Sequence, residues 1–161
     1  MNPAARIKIR ALRKSDIEEV ASLIARVFGR FNGREGTPAA TKRYLGHYDL
    51  GPERAELEKK YFSATVCLVA VAGTEVVGVL RCNGEWVRNL FVEGGYHRRG
   101  IGSRLMDECE RACRRQGLGV LRLNSTLYAL PFYEVLGFRK TTGLRRKAGL
   151  VYQPMKKSLA D

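Results

Sequence analysis

Histidine, tryptophan and acidic residues are scarce in this chain. Of 161 residues, two are histidine (His47 and His97), one is tryptophan (Trp86), and 16 Asp and Glu stand against 29 Lys and Arg. Two separated histidines rule out a histidine-rich metal centre. The four cysteines, Cys67, Cys82, Cys109 and Cys113, include no Cys-x-x-Cys pair and lack the ligand grouping of a structural zinc site. They are expected to be reduced, buried and packed as small apolar side chains, with no metal. No apolar run is long enough to span a bilayer, so no membrane partner is expected. Met1 to Arg10 has charges but no apolar h-region, which argues against a signal peptide and for a cytoplasmic location. No internal repeat or long linker divides the sequence, so residues 1–161 are expected to form a single domain with a sizeable core.

The hydropathy pattern supplies the elements. Ile7, Ile9 and Ala11 alternate with polar residues as in a half-buried strand. Ser15 and Glu18 can form a capping box ahead of a helix whose apolar stripe is Val20, Leu23, Ile24 and Val27. Gly29 to Gly51 reads as irregular, with room for a short helix from Pro38, and Glu53–Phe62 as a further helix. Strands are expected at Ala64–Ala72, Glu75–Cys82 and Glu85–Val92, the last two joined at the hairpin signal Asn83-Gly84. A helix from Ile101 to Gln116 leads to a strand at Leu121–Thr126 and a short helix ending at Gly137. Phe138–Leu144 and Gly149–Met155 read as a final pair of strands. This order implies a mixed sheet: an antiparallel meander, then a parallel neighbour reached through a crossover helix.

One stretch of this pattern carries chemistry. Leu90-Phe91-Val92-Glu93-Gly94-Gly95-Tyr96-His97-Arg98-Arg99-Gly100-Ile101-Gly102-Ser103-Arg104 is a strand, a glycine- and arginine-rich turn, and a helix start. That arrangement presents free backbone N–H groups to a phosphate at the positive end of the helix dipole. Gly100 and Gly102 allow close approach, and Arg98, Arg99 and Arg104 add charge. A P-loop is excluded, because Ile101-Gly102 stands where Lys-Ser/Thr is required. A dinucleotide fingerprint fails because its third glycine falls on Leu105.

The segment resembles the signature loop of the GNAT superfamily, the acetyl-CoA-dependent N-acetyltransferases. That loop reads Arg/Gln-x-x-Gly-x-Gly/Ala after a Leu-x-Val-like strand end, matched here by His97–Gly102 after Leu90–Val92. His97 replaces the usual Arg or Gln, and Gly94 stands where proline is common. A second segment, Tyr128-Ala129-Leu130-Pro131-Phe132-Tyr133-Glu134-Val135-Leu136-Gly137-Phe138, resembles the later motif of the same family, a short helix ending in Phe-Tyr-x-x-x-Gly-Phe. The resemblance implies an α/β GNAT fold: one domain with a mixed, mostly antiparallel central sheet, splayed parallel strands and flanking helices.

It also implies an activity: transfer of an acetyl group from acetyl-CoA to a primary amine by direct attack in a ternary complex. The implied coenzyme site comprises Leu90, Phe91, Val92, His97, Arg98, Arg99, Gly100, Ile101, Gly102, Ser103, Arg104 and Asn124. Pantetheine would lie along the Leu90–Val92 edge, where a backbone N–H also serves the developing oxyanion. Asn124 would reach the pantetheine arm, or else bond its own turn. Tyr133 is the implied general acid for the departing thiolate; its alternative is aromatic packing with Phe132 and Phe138. No general base is assigned. Trp86 occupies the position where histone-type members carry a Glu, Glu85 should face the other way unless a bulge intervenes, and Glu93 lies in the loop.

The net charge of +13 exceeds what coenzyme A phosphates require. Basic residues gather at Arg6, Lys8, Arg10, Arg13 and Lys14, at Arg111, Arg114 and Arg115, and at Arg139, Lys140, Arg145, Arg146 and Lys147. They form either a solvated surface or the seat of an acceptor on an anionic scaffold, such as a charged tRNA or a ribosome-associated protein. Three classes fit: an N-acetyltransferase, a catalytically silent coenzyme-binding module, and a basic module that binds an RNA-associated acceptor. Either a monomer or a homodimer is compatible with the sequence.

Overall fold

The sheet begins with short antiparallel strands rich in valine and isoleucine. In the computed structural model, which describes residues 6–160, β1 (Ile7–Ala11) pairs with β2 (Val66–Ala72), β2 with β3 (Glu75–Asn83), and β3 with β4 (Trp86–Val92), all antiparallel. The reading of Met1 to Ala5 lies outside the described residues. Gly73 and Gly84 take φ of +63° and +57° at the tight turns between these strands, a region open to glycine because it has no Cβ. The chain then crosses over through α4 (Ile101–Arg115) to β5 (Val120–Ser125), which runs parallel to β4. β8 (Leu150–Ser158) pairs antiparallel with β5, and β6 (Arg139–Lys140) and β7 (Arg145–Lys147) pair antiparallel with β8. The expected mixed, mostly antiparallel sheet with one parallel pair is the one observed.

Helices cover both faces. α1 (Ile17–Phe31), α2 (Pro38–Gly46) and α3 (Arg54–Phe62) lie on one side. Their buried Leu23, Ile24, Leu57 and Tyr61 pack against Val69, Val71, Val76 and Val79 of the sheet. On the other side, Ile101, Leu105, Met106 and Cys109 of α4 and Tyr133 of α5 (Leu130–Val135) pack against Ala70, Leu80, Cys82 and Leu121. Gly78 sets how closely α4 approaches, since a Cβ there would stand 3.2 Å from both the Ala70 Cβ and the Leu105 Cδ1. No helix among the described residues is long and apolar enough to cross a membrane.

Several boundaries differ from the sequence reading. α1 continues through Gly29 to Phe31, because Gly29 faces open space and its neighbours hold the helix. The capping box at Ser15 and Glu18 does not form. Ser15 lies inside a 3-10 turn over Lys14–Asp16, and Glu18 pairs with Arg54 at 2.5 Å. Asp16 starts the helix instead: its carboxylate accepts the Arg13 N–H at 2.7 Å and the Arg10 guanidinium at 2.7 and 2.9 Å. The strand expected over Phe138–Leu144 shrinks to the two residues of β6, while the last strand runs on to Ser158.

Asp16 offers a direct test of this packing. Its side chain is 6% exposed and that of Arg10 19%. The hydrogen bond from Arg10 holds the Asp16 carboxyl below its ordinary range. A carboxyl lowered in the folded state stabilises the protein above the unfolded value, and that contribution disappears as pH falls through the folded value. Asp16→Asn should therefore cost about 2 kcal/mol at neutral pH, the scale of charge-assisted hydrogen bonds. Denaturant titrations of both proteins at pH 7 and in strong acid should show the difference shrinking in acid.

Candidate active site

β4 and β5 run side by side but are barely joined by backbone pairing. The parallel ladder consists of the single pair Trp86↔Arg122. It is reinforced by the Arg122 N–H, which donates to the Glu85 carbonyl at 2.7 Å, and by the Arg122 Nε, which donates to the Glu85 carboxylate at 3.0 Å. Just beyond the bridge, Arg81 pairs with Asn89 and Cys82 with Val87, which leaves Arg88 as an unpaired extra residue. Such a bulge bends a strand and sharpens its twist. The strands therefore part, and a cavity of about 750 Å³ opens between Leu90–Val92 on one side and Leu123 and Asn124 on the other.

At one end of this cavity lies the glycine-rich loop. Arg98 and Gly100 take φ of +63° and +77°, and the first bond of α4 runs from the Arg104 N–H to the Gly100 carbonyl at 3.0 Å. The N–H groups of Ile101, Gly102 and Ser103 thus precede the helix ladder, and all three residues line the cavity together with Arg98 and Gly100. Gly102 is held bare by the Phe132 ring, which a Cβ would meet at 3.0 Å. Free N–H groups, a helix N-terminus and a close backbone approach fit a phosphate group.

The structure distributes the remaining loop residues unevenly. Arg99 and Arg104 do not line the cavity. The Arg99 guanidinium lies 5.1 Å over the Tyr96 ring, and Arg104 donates to the Ile7 carbonyl at 3.2 Å. His97 lines the cavity as a brace. Its Nε2 lies 2.6 Å from the Val92 carbonyl and its Nδ1 3.4 Å from the Tyr128 hydroxyl. A carbonyl can only accept, so Nε2 carries the proton. The Val92 oxygen keeps a second lone pair. Glu93 pairs with Arg26 of α1 and stays outside the cavity wall.

Tyr133 and Asn124 both reach the cavity. Tyr133 is buried on α5, edge-on to Phe132 at 5.2 Å and Phe138 at 5.6 Å. Its hydroxyl makes no hydrogen bond among the described residues, and burial raises its pKa above the ordinary phenol value of 10. The Asn124 side chain likewise makes no hydrogen bond among the described residues, so it is not spent on its own turn.

Asn89 and Glu35 also line the cavity, and the sequence reading passed over both. Asn89 is a buried polar residue in an apolar strand. Its amide oxygen accepts from Arg81 Nε at 2.8 Å and from the Tyr61 hydroxyl at 3.1 Å, and its amide nitrogen donates to the Tyr48 hydroxyl at 3.3 Å. Tyr44 stacks on Phe28 at 3.9 Å and lines the cavity beside Asn89. Glu35 is, among the described residues, the only carboxylate in the cavity wall. It accepts the Leu127 and Tyr128 N–H groups at 2.9 and 3.0 Å and the Asn32 amide at 3.1 Å. It therefore clasps the loop after α1 to the loop after β5. His47 is exposed and does not line the cavity. Asn89 was legible as an amide among apolar neighbours; nothing in the local pattern marked Glu35.

The sulfur atoms of Cys82, Cys109 and Cys113 lie within 4.8 Å of one another in the core. None of them lines the cavity. Burial raises the Cys113 thiol to about 11.

The cavity is a cleft between splayed parallel strands with free helix N–H groups at one end, a shape that suits an elongated, anionic ligand. Residues 49–159 match the family model described as an acetyltransferase (GNAT) domain, and the chain belongs to that family, whose acetyl donor is acetyl-CoA. Solved structures agree on the fold. A GCN5-related N-acetyltransferase from Rhodopseudomonas palustris is 16% identical with a TM-score of 0.84, covering 98% of this chain and 99% of that one. PaiA N-acetyltransferase from Thermoplasma acidophilum, in complex with coenzyme A, is 18% identical with a TM-score of 0.77, covering 95% and 99%. An aminoglycoside 6'-N-acetyltransferase complexed with coenzyme A is 16% identical with a TM-score of 0.70, covering 96% and 98%.

Proposed function

We propose that the cavity binds acetyl-CoA and passes its acetyl group to a primary amine by direct attack in a ternary complex. The observation that carries this reading is the parting of β4 and β5 after one bridge, with a free helix N-terminus at one end and an unbonded tyrosine hydroxyl beside it. The N–H groups of Ile101, Gly102 and Ser103 hold the pyrophosphate, with Arg98 adding charge. The Leu90–Val92 backbone aligns the pantetheine arm in place of a neighbouring strand, and Asn124 fixes it from the facing side. Arg99 and Arg104 stand outside the cavity wall.

Tyr133 supplies the proton or hydrogen bond that the leaving thiolate needs. Burial keeps its phenol protonated well past neutrality. The acceptor amine enters at the end walled by Tyr44, Phe28 and Asn89. No side chain is assigned as general base, and solvent takes the proton that the amine gives up.

A thiol-release assay with acetyl-CoA, run across simple amines, peptides and aminoacyl-tRNA, tests this function. Turnover with at least one amine is expected. Tight coenzyme binding with no turnover on any acceptor class would favour the catalytically silent module.

A further inference from the structure

The outermost strands of the sheet carry charge of one sign. Between Glu134 and Asp161 the chain has seven Lys and Arg and no acidic residue. Residues 139–148 are all exposed, and Arg139, Lys140, Arg145, Arg146 and Lys147 stand in that run. None of the five makes an ion pair among the described residues. Arg145 finds only the Thr142 hydroxyl, at 3.4 Å.

Their register gives this charge a direction. Arg145, Arg146 and Lys147 pair with Tyr152, Val151 and Leu150 of β8, and all three partners line the cavity. The backbone that carries these cations therefore runs one strand spacing, about 4.8 Å, from that of the cavity-lining residues. Edge strands often carry a charge to block pairing with another chain. A lone lysine achieves that, so five cations without an acid point to a partner.

The chemistry of the run selects that partner. Protein interfaces are built on an apolar or aromatic centre with charge at the rim, and membrane anchoring needs apolar side chains. Residues 139–148 offer one large apolar side chain, Leu144. A phosphate backbone asks only for guanidinium and ammonium groups. At the cavity wall, Tyr128 is 54% exposed and presents a ring on which a base can stack. We infer that the β6–β7 edge binds the phosphate backbone of RNA and so delivers an amine carried on that RNA to the cavity. The delivery rests on the acetyltransferase reading; the binding does not.

Fluorescence anisotropy with a short labelled oligouridylate, across a salt series, tests the binding. The triple variant Arg145→Glu, Arg146→Glu, Lys147→Glu should bind at least about tenfold more weakly. Its salt slope should fall by about 2, since each phosphate that a cation neutralises on a single strand adds about 0.7. Lys59→Glu, Lys60→Glu, Arg115→Glu changes the net charge equally at exposed sites on α3 and α4, and should keep most of the affinity. Calorimetry should show unchanged acetyl-CoA affinity in both variants. Equal loss in both, or no RNA binding by the parent protein at low salt, overturns the inference. Polyglutamate competing as well as RNA does so too, by assigning the edge to acidic protein. RNA binding without acetyl transfer to any amine would leave the binding standing and remove both the delivery and the acetyltransferase reading.

Discussion

Replacing Tyr133 with phenylalanine is expected to lower turnover by about 10²–10⁴, the usual worth of a positioned general acid, with acetyl-CoA affinity nearly unchanged. The variant keeps the ring and its edge contacts with Phe132 and Phe138. The hydroxyl it removes bonds no described residue, so the change orphans no buried partner and the melting temperature should hold. The raised pKa refines the role. A free thiol titrates near 8.5, so a phenol pushed above 10 gains little by giving its proton away completely. A strong hydrogen bond to the developing thiolate would achieve most of the stabilisation. The alkaline limb of the parent pH–rate profile should accordingly carry no loss from Tyr133 below pH 10. Full activity in the variant would show that the thiolate leaves without this group; loss of folding would return Tyr133 to packing alone.

Gly100→Asp should abolish acetyl-CoA binding while the fold survives. At φ +77° the position favours glycine, and aspartate is among the side chains that tolerate this region best. A Cβ there meets nothing within 4 Å. The new carboxylate would sit at the N-terminus of α4, where the helix dipole favours it. It would then occupy, with like charge, the place of the pyrophosphate. Like-charge juxtaposition costs several kcal/mol, which corresponds to a loss of about 10² or more in affinity. Calorimetry reads the affinity and a thermal melt the fold. Gly100→Ala brings the same backbone demand without charge and should bind far better than the aspartate variant. Equal binding by the aspartate variant and the parent would place the phosphate elsewhere.

The parts of the site that were legible are those where backbone conformation dictates residue type. Gly100 and Gly102 stand out because one backbone turns left-handed and the other meets an aromatic ring. The crossover from β4 through α4 to β5 was readable from apolar spacing alone. What stayed hidden depends on distant partners. Arg99 and Arg104 looked like phosphate ligands by sequence distance, yet Tyr96 and the Ile7 carbonyl hold them outside the cavity. Asp16 displaced Ser15 as helix starter because Arg10, on the preceding strand, is within reach of its carboxylate. Glu35 closes its clasp on N–H groups more than ninety residues away, a separation that no local pattern encodes.

The single bridge at Trp86 and Arg122 has a mechanical consequence. Beyond it the sheet is two half-sheets, one holding β1 to β4 and the other β5 to β8, tied through the α4 crossover and the loop clasp at Glu35. A pantetheine arm along Leu90–Val92 would act as the absent rung between them. Ligand occupancy and sheet integrity would then be one equilibrium, worth about 2.7 kcal/mol of added stability at a hundredfold excess over the dissociation constant. The apo protein should exchange its amides along the inner edges of β4 and β5 ahead of the rest of the sheet. Saturation with coenzyme should merge the two halves into a single cooperative unit.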